Sequence, residues 1–576
     1  MNALALSLTL PEILARLETQ GIFSSEVHKT LSTAARHLPV LQALGQLAPT
    51  DKQGKVWSET TFARWFAGES GLPFHSIDPL NTDVHAVTQV MSLGFAESHD
   101  ILAVALDADS VTVAVVDPAD TRWVSGLEQV SKRRVLRVLA PPSEIHRHRK
   151  EFYSLSRSIG AAVKRGEAQR LTDLEQLLDL SDARPSADDQ SIVEVVDWVL
   201  RYAFEQRASD IHVEPRRDKA NVRLRIDGIL HSVYQMPAQI GAAMVSRFKA
   251  LGRMDVAEKR QPQDGRLKTR SPRGREVELR LSTLPTAFGE KLVGRIFDPE
   301  VLQKDFSELG FSPADLDTWR SMTARREGIL LVTGPTGSGK TTTLYSTLRE
   351  LASPEVNLCT VEDPIELIEP AFNQVQVQSS IGLDFAAGMK SLLRQDPDII
   401  MVGEIRDKET ADMAVQAALT GHLVVSTLHT NDAPSAVTRL LELGVPAYLL
   451  RATLIGVMAQ RLTRTLCPHC KSEASLDPEV WREFIAPFNA PAPEKVYQPV
   501  GCEHCRDTGF AGRVGVYEIM SVSEDLASGI HADMPIEPWR AQAWKQGLEP
   551  LRLAGAKRVA AGLTTLEEVG RVTPPL

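Results

Sequence analysis

Long apolar runs are missing from this chain of 576 residues. Nowhere do about 18 or more apolar residues follow one another, and runs such as Ile329–Val332 and Ile399–Val402 have strand length, so no membrane-spanning helix is expected. The apolar start from Met1 to Leu10 has no Lys or Arg before it and soon meets Pro11 and Glu12, so no signal peptide is expected either. Cysteine is scarce. Five in so long a chain do not make a disulfide framework, and four fall into two CxxC pairs, which points to a metal in a reducing cytoplasm. Positive charge is also in deficit: a net charge of -10 disfavours nonspecific binding to nucleic acid or anionic lipid, leaving only local basic faces. No repeat of roughly 20 to 50 residues suggests a solenoid. What is present is an ordinary folded composition, 43% hydrophobic and 24% charged, in a chain too long for one core.

Four stretches are expected along it. Residues 1–165 open with a helical pattern (Ile13, Leu14, Leu17) and continue into extended runs at 101–106 and 111–116, which reads as a small α/β domain. Residues 166–190 contain the acidic, proline-interrupted sequence LSDARPSADDQ and read as a linker. In residues 191–305 an amphipathic helix (Ile192, Val195, Val196, Val199, Leu200, Ala203) leads into strands. There Val222, Leu224 and Ile226 share one face, Arg223 and Arg225 share the other, and Asp227-Gly228 signals a hairpin turn. Val277, Leu279 and Leu281 alternate in the same way and leave Arg280 opposite. Residues 306–576 alternate short apolar strands with helices, the pattern of a parallel α/β sheet.

The strongest motif lies there. Gly334-Pro335-Thr336-Gly337-Ser338-Gly339-Lys340-Thr341 matches GxxxxGK[ST] between a strand and a helix that begins near Thr342. Its backbone amides can surround phosphate at a helix N-terminus, Lys340 can reach the β and γ phosphates, and Thr341 can ligate Mg²⁺, so ATP and magnesium are the expected ligands. Hydrolysis needs a further group. Glu404 stands two places past the apolar strand 399–402, where its carboxylate can activate water; Gly403 occupies the place of the usual strand-end Asp, which shifts weight onto Glu404 as base.

The cysteine pairs Cys467-Pro-His-Cys470 and Cys502-Glu-His-Cys505 are separated by residues 471–501, a spacing compatible with four thiolates on one tetrahedral Zn²⁺ that staples a small insert. His469 or His504 could replace one sulfur. Cys359 reads as a small buried apolar residue.

The order of motifs is that of a known superfamily. The P-loop, Thr360-Val-Glu362-Asp363-Pro-Ile-Glu366, Gly403-Glu404-Ile-Arg406-Asp407, and Thr420-Gly-His422 through His429-Thr430-Asn431 look like the Walker A, Asp box, Walker B and His box of the secretion ATPases. Within them the chain resembles the type II secretion ATPases (GspE-like) and type IV pilus assembly ATPases (PilB-like), also through SDIHVEP (209–215), QPQDGR (261–266), STLPT (282–286) and Gln460-Arg-Leu462. The resemblance implies a RecA-like P-loop core preceded by a small PAS-like α/β sheet domain and an α/β N-terminal domain, assembled as a homohexamer. It implies Mg²⁺ or water held by Glu362, Asp363 and Glu366, γ-phosphate sensing by His429 with His422 bracing that loop, and arginines reaching a neighbour's phosphates: Arg223 and Arg225 first, with Arg266, Arg280 and Arg295. Residues 247–280 carry 11 Lys or Arg against 5 Asp or Glu, a local excess of 6.

By the same resemblance the N-terminal region docks on the cytoplasmic domain of an inner-membrane recruiting protein, an inner-membrane platform protein is a second partner, and the location is cytoplasmic at the inner membrane. No nucleic acid is expected. The closing LTTLEEVGRVT resembles the GspE-like ending, which favours type II secretion over type IV pilus assembly; an ATP-dependent scaffold without rapid turnover is the alternative from another class.

Overall fold

The computed structural model describes residues 10–23, 27, 47, 49–52, 56–79, 82–172, 189–272, 274–297, 304–506 and 508–575. The expected linker lies largely outside these residues. The chain divides into two compact units, Met1–Ile296 and Phe297–Leu576.

In the first unit, α1 (Leu10–Thr19) buries Ile13, Leu14 and Leu17 against Phe23, Trp57 and Phe62, as their helical spacing dictates. A three-stranded sheet follows, β1 (Ile101–Leu106), β2 (Ser110–Val115) and β3 (Arg134–Leu139), antiparallel then parallel. Next, α2 (Pro142–Thr172) runs seven residues into the expected linker, and α3 (Gln190–Glu205), capped by the Asp189 side chain on the Ser191 amide, packs against it. Ser158 Oγ of α2 donates to Glu194 Oε2 of α3 at 2.5 Å. The regions on either side of that linker therefore share one apolar cluster, from Ile77 to Leu292, where composition alone suggested separate domains.

The second sheet of this unit holds six strands in the order β6-β5-β4-β9-β8-β7: β4 (Asp210–Pro215), β5 (Lys219–Ile226), β6 (Ile229–Pro237), β7 (Gln263–Arg270), β8 (Glu276–Thr286) and β9 (Gly289–Phe297). Its alternation is the expected one, with Val222, Leu224, Ile226, Val277, Leu279 and Leu281 buried. The hairpin turn falls at Asp227 and Gly228, whose φ values of 48° and 85° are the two left-handed positions of a type I′ turn.

The second unit is built on a seven-stranded sheet in the order β12-β11-β13-β14-β10-β15-β18. Its strands are β10 (Gly328–Thr333), β11 (Leu358–Glu362), β12 (Asn373–Gln376), β13 (Ile399–Val402), β14 (Leu423–Leu428), β15 (Leu454–Leu466) and β18 (Phe510–Ser521); all pairs are parallel except β15 with β18. Helices cover both faces, which is why β10, β11, β13 and β14 are buried along their whole length instead of alternating. A two-stranded sheet, β16 (Ser472–Ala474) with β17 (Val496–Gln498), lies between β15 and β18 in sequence. Among the described residues no helix is long and apolar enough to cross a membrane.

Candidate functional site

Parallel pairing brings the carboxyl ends of four strands to one edge. Thr333 of β10 lies opposite Leu428 of β14, Ser426 of β14 opposite Val402 of β13, and Val402 opposite Val361 of β11. The segments leaving that edge are the P-loop after β10, His429 after β14, Glu404 after β13, and Glu362-Asp363 at the end of β11. Ligand sites of open α/β sheets form at this edge.

The P-loop turns from β10 into α4 (Lys340–Leu351), whose N-cap Gly339 provides no side-chain cap, so the first amides of the helix are left for an anion. Gly334 (φ 151°) and Gly339 (φ 90°) cannot be replaced cheaply: a Cβ would stand 2.5 Å from Gln460 O at the first and 2.8 Å from Gln460 Nε2 at the second. Pro335, Thr336 and Gly337 form the exposed rim; Ser338 is buried, Thr341 half-buried and Thr342 buried on the first turn. Lys340 Nζ donates to Gly334 O at 2.7 Å and Pro335 O at 3.2 Å, lying back along the loop. Burial holds its pKa down at about 8, with Arg461 adding to the effect and Glu404 and Glu366 opposing it. Those two carboxylates therefore act on the lysine electrostatically. Behind the loop Thr343 Oγ1 donates to the buried Gln460 Oε1 at 2.9 Å.

Across from Lys340, Glu404 is held from two sides. Arg406 Nη2 donates to Oε1, and His429 Nε2 lies 3.5 Å from Oε2. The carboxylate is 17% exposed while the side chains of His429 and Arg406 are 52% and 61% exposed, so the base candidate is sheltered and its partners are free to meet a ligand. Gly403 has a local reason: a Cβ there would meet Val361 O at 3.3 Å and Phe385 at 3.4 Å, leaving little room for the larger acid usual at this place. Glu362 is 3% exposed, and its oxygens accept from Tyr345 Oη at 2.7 Å, Thr360 Oγ1 at 2.7 Å and Gln374 Nε2 at 3.1 Å. This network ties the P-loop helix to β11 and β12. Asp363 is exposed beside it. His422 sits at the other end of β14, opposite Gly328 across one position, and its Nδ1 lies 2.8 Å from Ala417 O at the end of α5 (Lys408–Leu419). Six residues of strand, roughly 20 Å, separate it from the His429 loop it was expected to brace.

Residues 185–571 match the family model described as type II/IV secretion system protein, and residues 70–159 match that of the MshEN domain. The chain belongs to the type II/IV secretion system protein family. The type IV pilus assembly ATPase TfpB of Acinetobacter baylyi is 53% identical over 89% of this chain and 88% of its own. The type II secretion system protein E of Pectobacterium carotovorum is 39% identical over 84% of this chain and 97% of its own. The solved Yersinia pseudotuberculosis ATPase DotB is similar in fold, with a TM-score of 0.50 and 20% identity over 68% of this chain and 95% of that one. With its complete P-loop, this secretion-family chain is an ATPase with a RecA-like core.

The family member carries a second built site. The sulfurs of Cys467, Cys470, Cys502 and Cys505 all lie within 4.8 Å of one another, at 3.8 Å for Cys467–Cys502 and 3.7 Å for both Cys470–Cys505 and Cys502–Cys505. Four sulfurs around zinc at about 2.3 Å would stand about 3.8 Å apart, so the cage fits that ion. Cys505 Sγ also accepts the amides of Cys502 and Gly509 at 3.1 and 3.2 Å, which orients it as a thiolate ligand. His469 and His504 stack on each other with centroids 4.1 Å apart, outside the sulfur cage.

The arginines expected to reach a neighbour's phosphates lie in the first unit, held by carboxylates that their strand pattern alone does not reveal. Asp210 and Glu214 of SDIHVEP, 6% and 2% exposed, face the same side of β4. Asp210 takes Arg225 at 3.5 Å and Arg295 at 3.1 Å; Glu214 takes Arg223 at 2.6 Å, Arg216 at 2.9 Å and Lys291 at 3.2 Å. Burial raises the Glu214 pKa, but Arg223 and Lys291 overcome it and hold the carboxyl below its ordinary range. Arg266 pairs with Glu278 at 3.9 Å, and Arg280 lies on the strand opposite it in register. The signal was present as carboxylates at alternate positions of one strand.

Proposed function

We propose that the chain is a hexameric motor that hydrolyses ATP to drive pilin-like subunits out of a bacterial inner membrane, working at its cytoplasmic face. The observation that carries this reading is Glu404, sheltered between His429 and Arg406 at the strand edge that also holds Lys340. In the reading, the P-loop amides from Gly334 to Thr342 and Lys340 bind the phosphates. Thr341, Glu362 and Asp363 would hold Mg²⁺, which would neutralise charge on the β and γ phosphates. Glu404 takes a proton from the water that attacks the γ-phosphorus; the bond to the β–γ bridging oxygen breaks, leaving ADP and phosphate. His429 orients Glu404 and reports the γ-phosphate. Arg223 and Arg225 serve the nucleotide of a neighbouring subunit, released from Glu214 and Asp210 when a phosphate competes for them. The N-terminal 165 residues dock on a membrane-anchored recruiting protein, and a platform protein in the same membrane receives the work. No nucleic acid takes part.

Both loads fit, since type II secretion builds a pseudopilus as the other system builds a pilus. Type II secretion is supported by the relative matched over 97% of its length. Type IV pilus assembly is favoured by the 53% identity to TfpB. Deleting the gene decides between them: loss of surface pilin with normal exoprotein release assigns pilus assembly, and the reverse assigns secretion. The hexamer is tested by light scattering of the full chain with ATP, where a monomer at all concentrations would contradict it.

A further inference from the structure

The loop leaving β14 carries His429, and each of the next four residues is tied to a different element. The Thr430 amide donates to Thr333 Oγ1 of β10 at 2.8 Å. Asn431 O accepts from Arg461 Nη2 of β15 at 2.6 Å. Asp432 Oδ2 pairs with Arg540 Nη2 at 3.0 Å, and Arg540 lies on α7 (Ile536–Lys545) beyond the cysteine module. The Ala433 amide, at the start of α6 (Pro434–Glu442), donates to Glu518 Oε1 of β18 at 2.7 Å. Glu518 Oε2 takes a second amide, that of Leu551 at the start of α8 (Leu551–Ala560), at 2.9 Å. Glu518 and Arg461 are 4% and 5% exposed, and the side chains of the Arg540–Asp432 pair 20% and 16%, so the ties lie beneath an exposed loop.

We infer that Glu518 and Arg540 are positioning residues for hydrolysis: from the C-terminal part of the chain they fix the loop that aims His429 at Glu404. The inference rests on the reading of Glu404 and His429 as the hydrolytic pair. Glu518 is the keystone because one buried carboxylate closes both the loop and a helix that otherwise has no side-chain cap. It faces Asp432, Arg540 and Arg461; burial pushes its carboxyl up to about 7, Asp432 adds to that, and the two amides and Arg540 oppose it. The ionised form accepts from both amides more strongly than the protonated one. The geometry has little slack, since a displacement of about 1 Å in a catalytic group can cost on the order of a hundredfold in rate.

The test is a double-mutant cycle in the full-length assembled protein, with kcat, KM for ATP and binding of a fluorescent ATP analogue as readouts. Glu518→Gln keeps the volume but turns one acceptor into an NH₂ facing an amide donor. It is expected to lower kcat about tenfold with KM and analogue affinity within about twofold. Arg540→Ala is expected to lower kcat about fivefold and Arg540→Lys to restore most of it. In a His429→Ala background, each change should lower kcat by less than about twofold further, because the residue they position is gone. Full multiplicative losses in that background would overturn the inference, as would losses appearing only in KM or in assembly. If Glu518→Gln fails to fold, the Arg540 pair decides alone. If His429→Ala leaves kcat unchanged, it is the hydrolytic reading that fails.

Discussion

Removing one sulfur from the cysteine cage isolates what the metal contributes. Cys502→Ser breaks the four-sulfur cage, and with the zinc lost the chain between Cys467 and Cys502, 35 residues apart in sequence, is no longer closed. By the chain-entropy estimate for a cross-link, closing a loop of this length stabilises by about 4 kcal/mol. Little else holds the segment. Its β16–β17 sheet has three residue pairs, too few to stand alone, and its core is Trp481 and Ile485 with Val496 against the helix Leu551–Ala560. Local opening should therefore rise by roughly a thousandfold, since each 1.4 kcal/mol is about tenfold. The assay is hydrogen exchange on the intact protein, read at the amides of Leu466 and Cys467, which donate to Leu563 O and Gly509 O at 2.7 and 2.9 Å. Wild type should bind about one zinc per chain with four sulfur neighbours near 2.3 Å in X-ray absorption. Unchanged exchange in Cys502→Ser, or wild-type zinc well below one per chain, refutes the staple.

Nucleotide binding should depend on pH through Lys340. Its pKa is lowered to about 8, so the free protein loses the cation as pH rises through that value, while phosphate favours the charged form. ATP affinity should weaken about tenfold per pH unit above 8 and binding should take up protons there; calorimetry in two buffers reads both, and Lys340→Arg should flatten the profile. The same depressed pKa makes the charged lysine a cost to folding below pH 8, relieved as pH rises toward 10.5. Gly339→Ala should weaken ATP binding at least about tenfold, because φ of 90° and a 2.8 Å approach to Gln460 Nε2 forbid the native loop. Tyr345→Phe removes a donor from the buried Glu362 and should cost about 1.5–3 kcal/mol of stability, read as a lower denaturant midpoint.

Local chemistry made much of this legible. The strand 399–402 has the bounds its apolar run suggests, and the arginine alternation and Asp227-Gly228 turn follow from period and conformation alone. The cysteine spacing gave the cage directly. What sequence could not show are contacts that join distant segments. His429 meets Glu404 only because β13 and β14 are neighbours in the sheet, whereas His422, equally prominent in its motif, precedes the same strand and ends up at the opposite edge. Glu518 reads as an ordinary acid in a strand until pairing of β18 buries it over two helix starts. The linker expected from acidic composition begins within α2, whose packing on α3 no local pattern announces.

The central claim, that Glu404 activates the attacking water, is tested most directly by Glu404→Gln, which keeps the shape but removes the proton acceptor. Phosphate release from the purified protein should fall by at least about a hundredfold while ATP still binds with near-native affinity. Phosphate release at the wild-type rate would contradict the account.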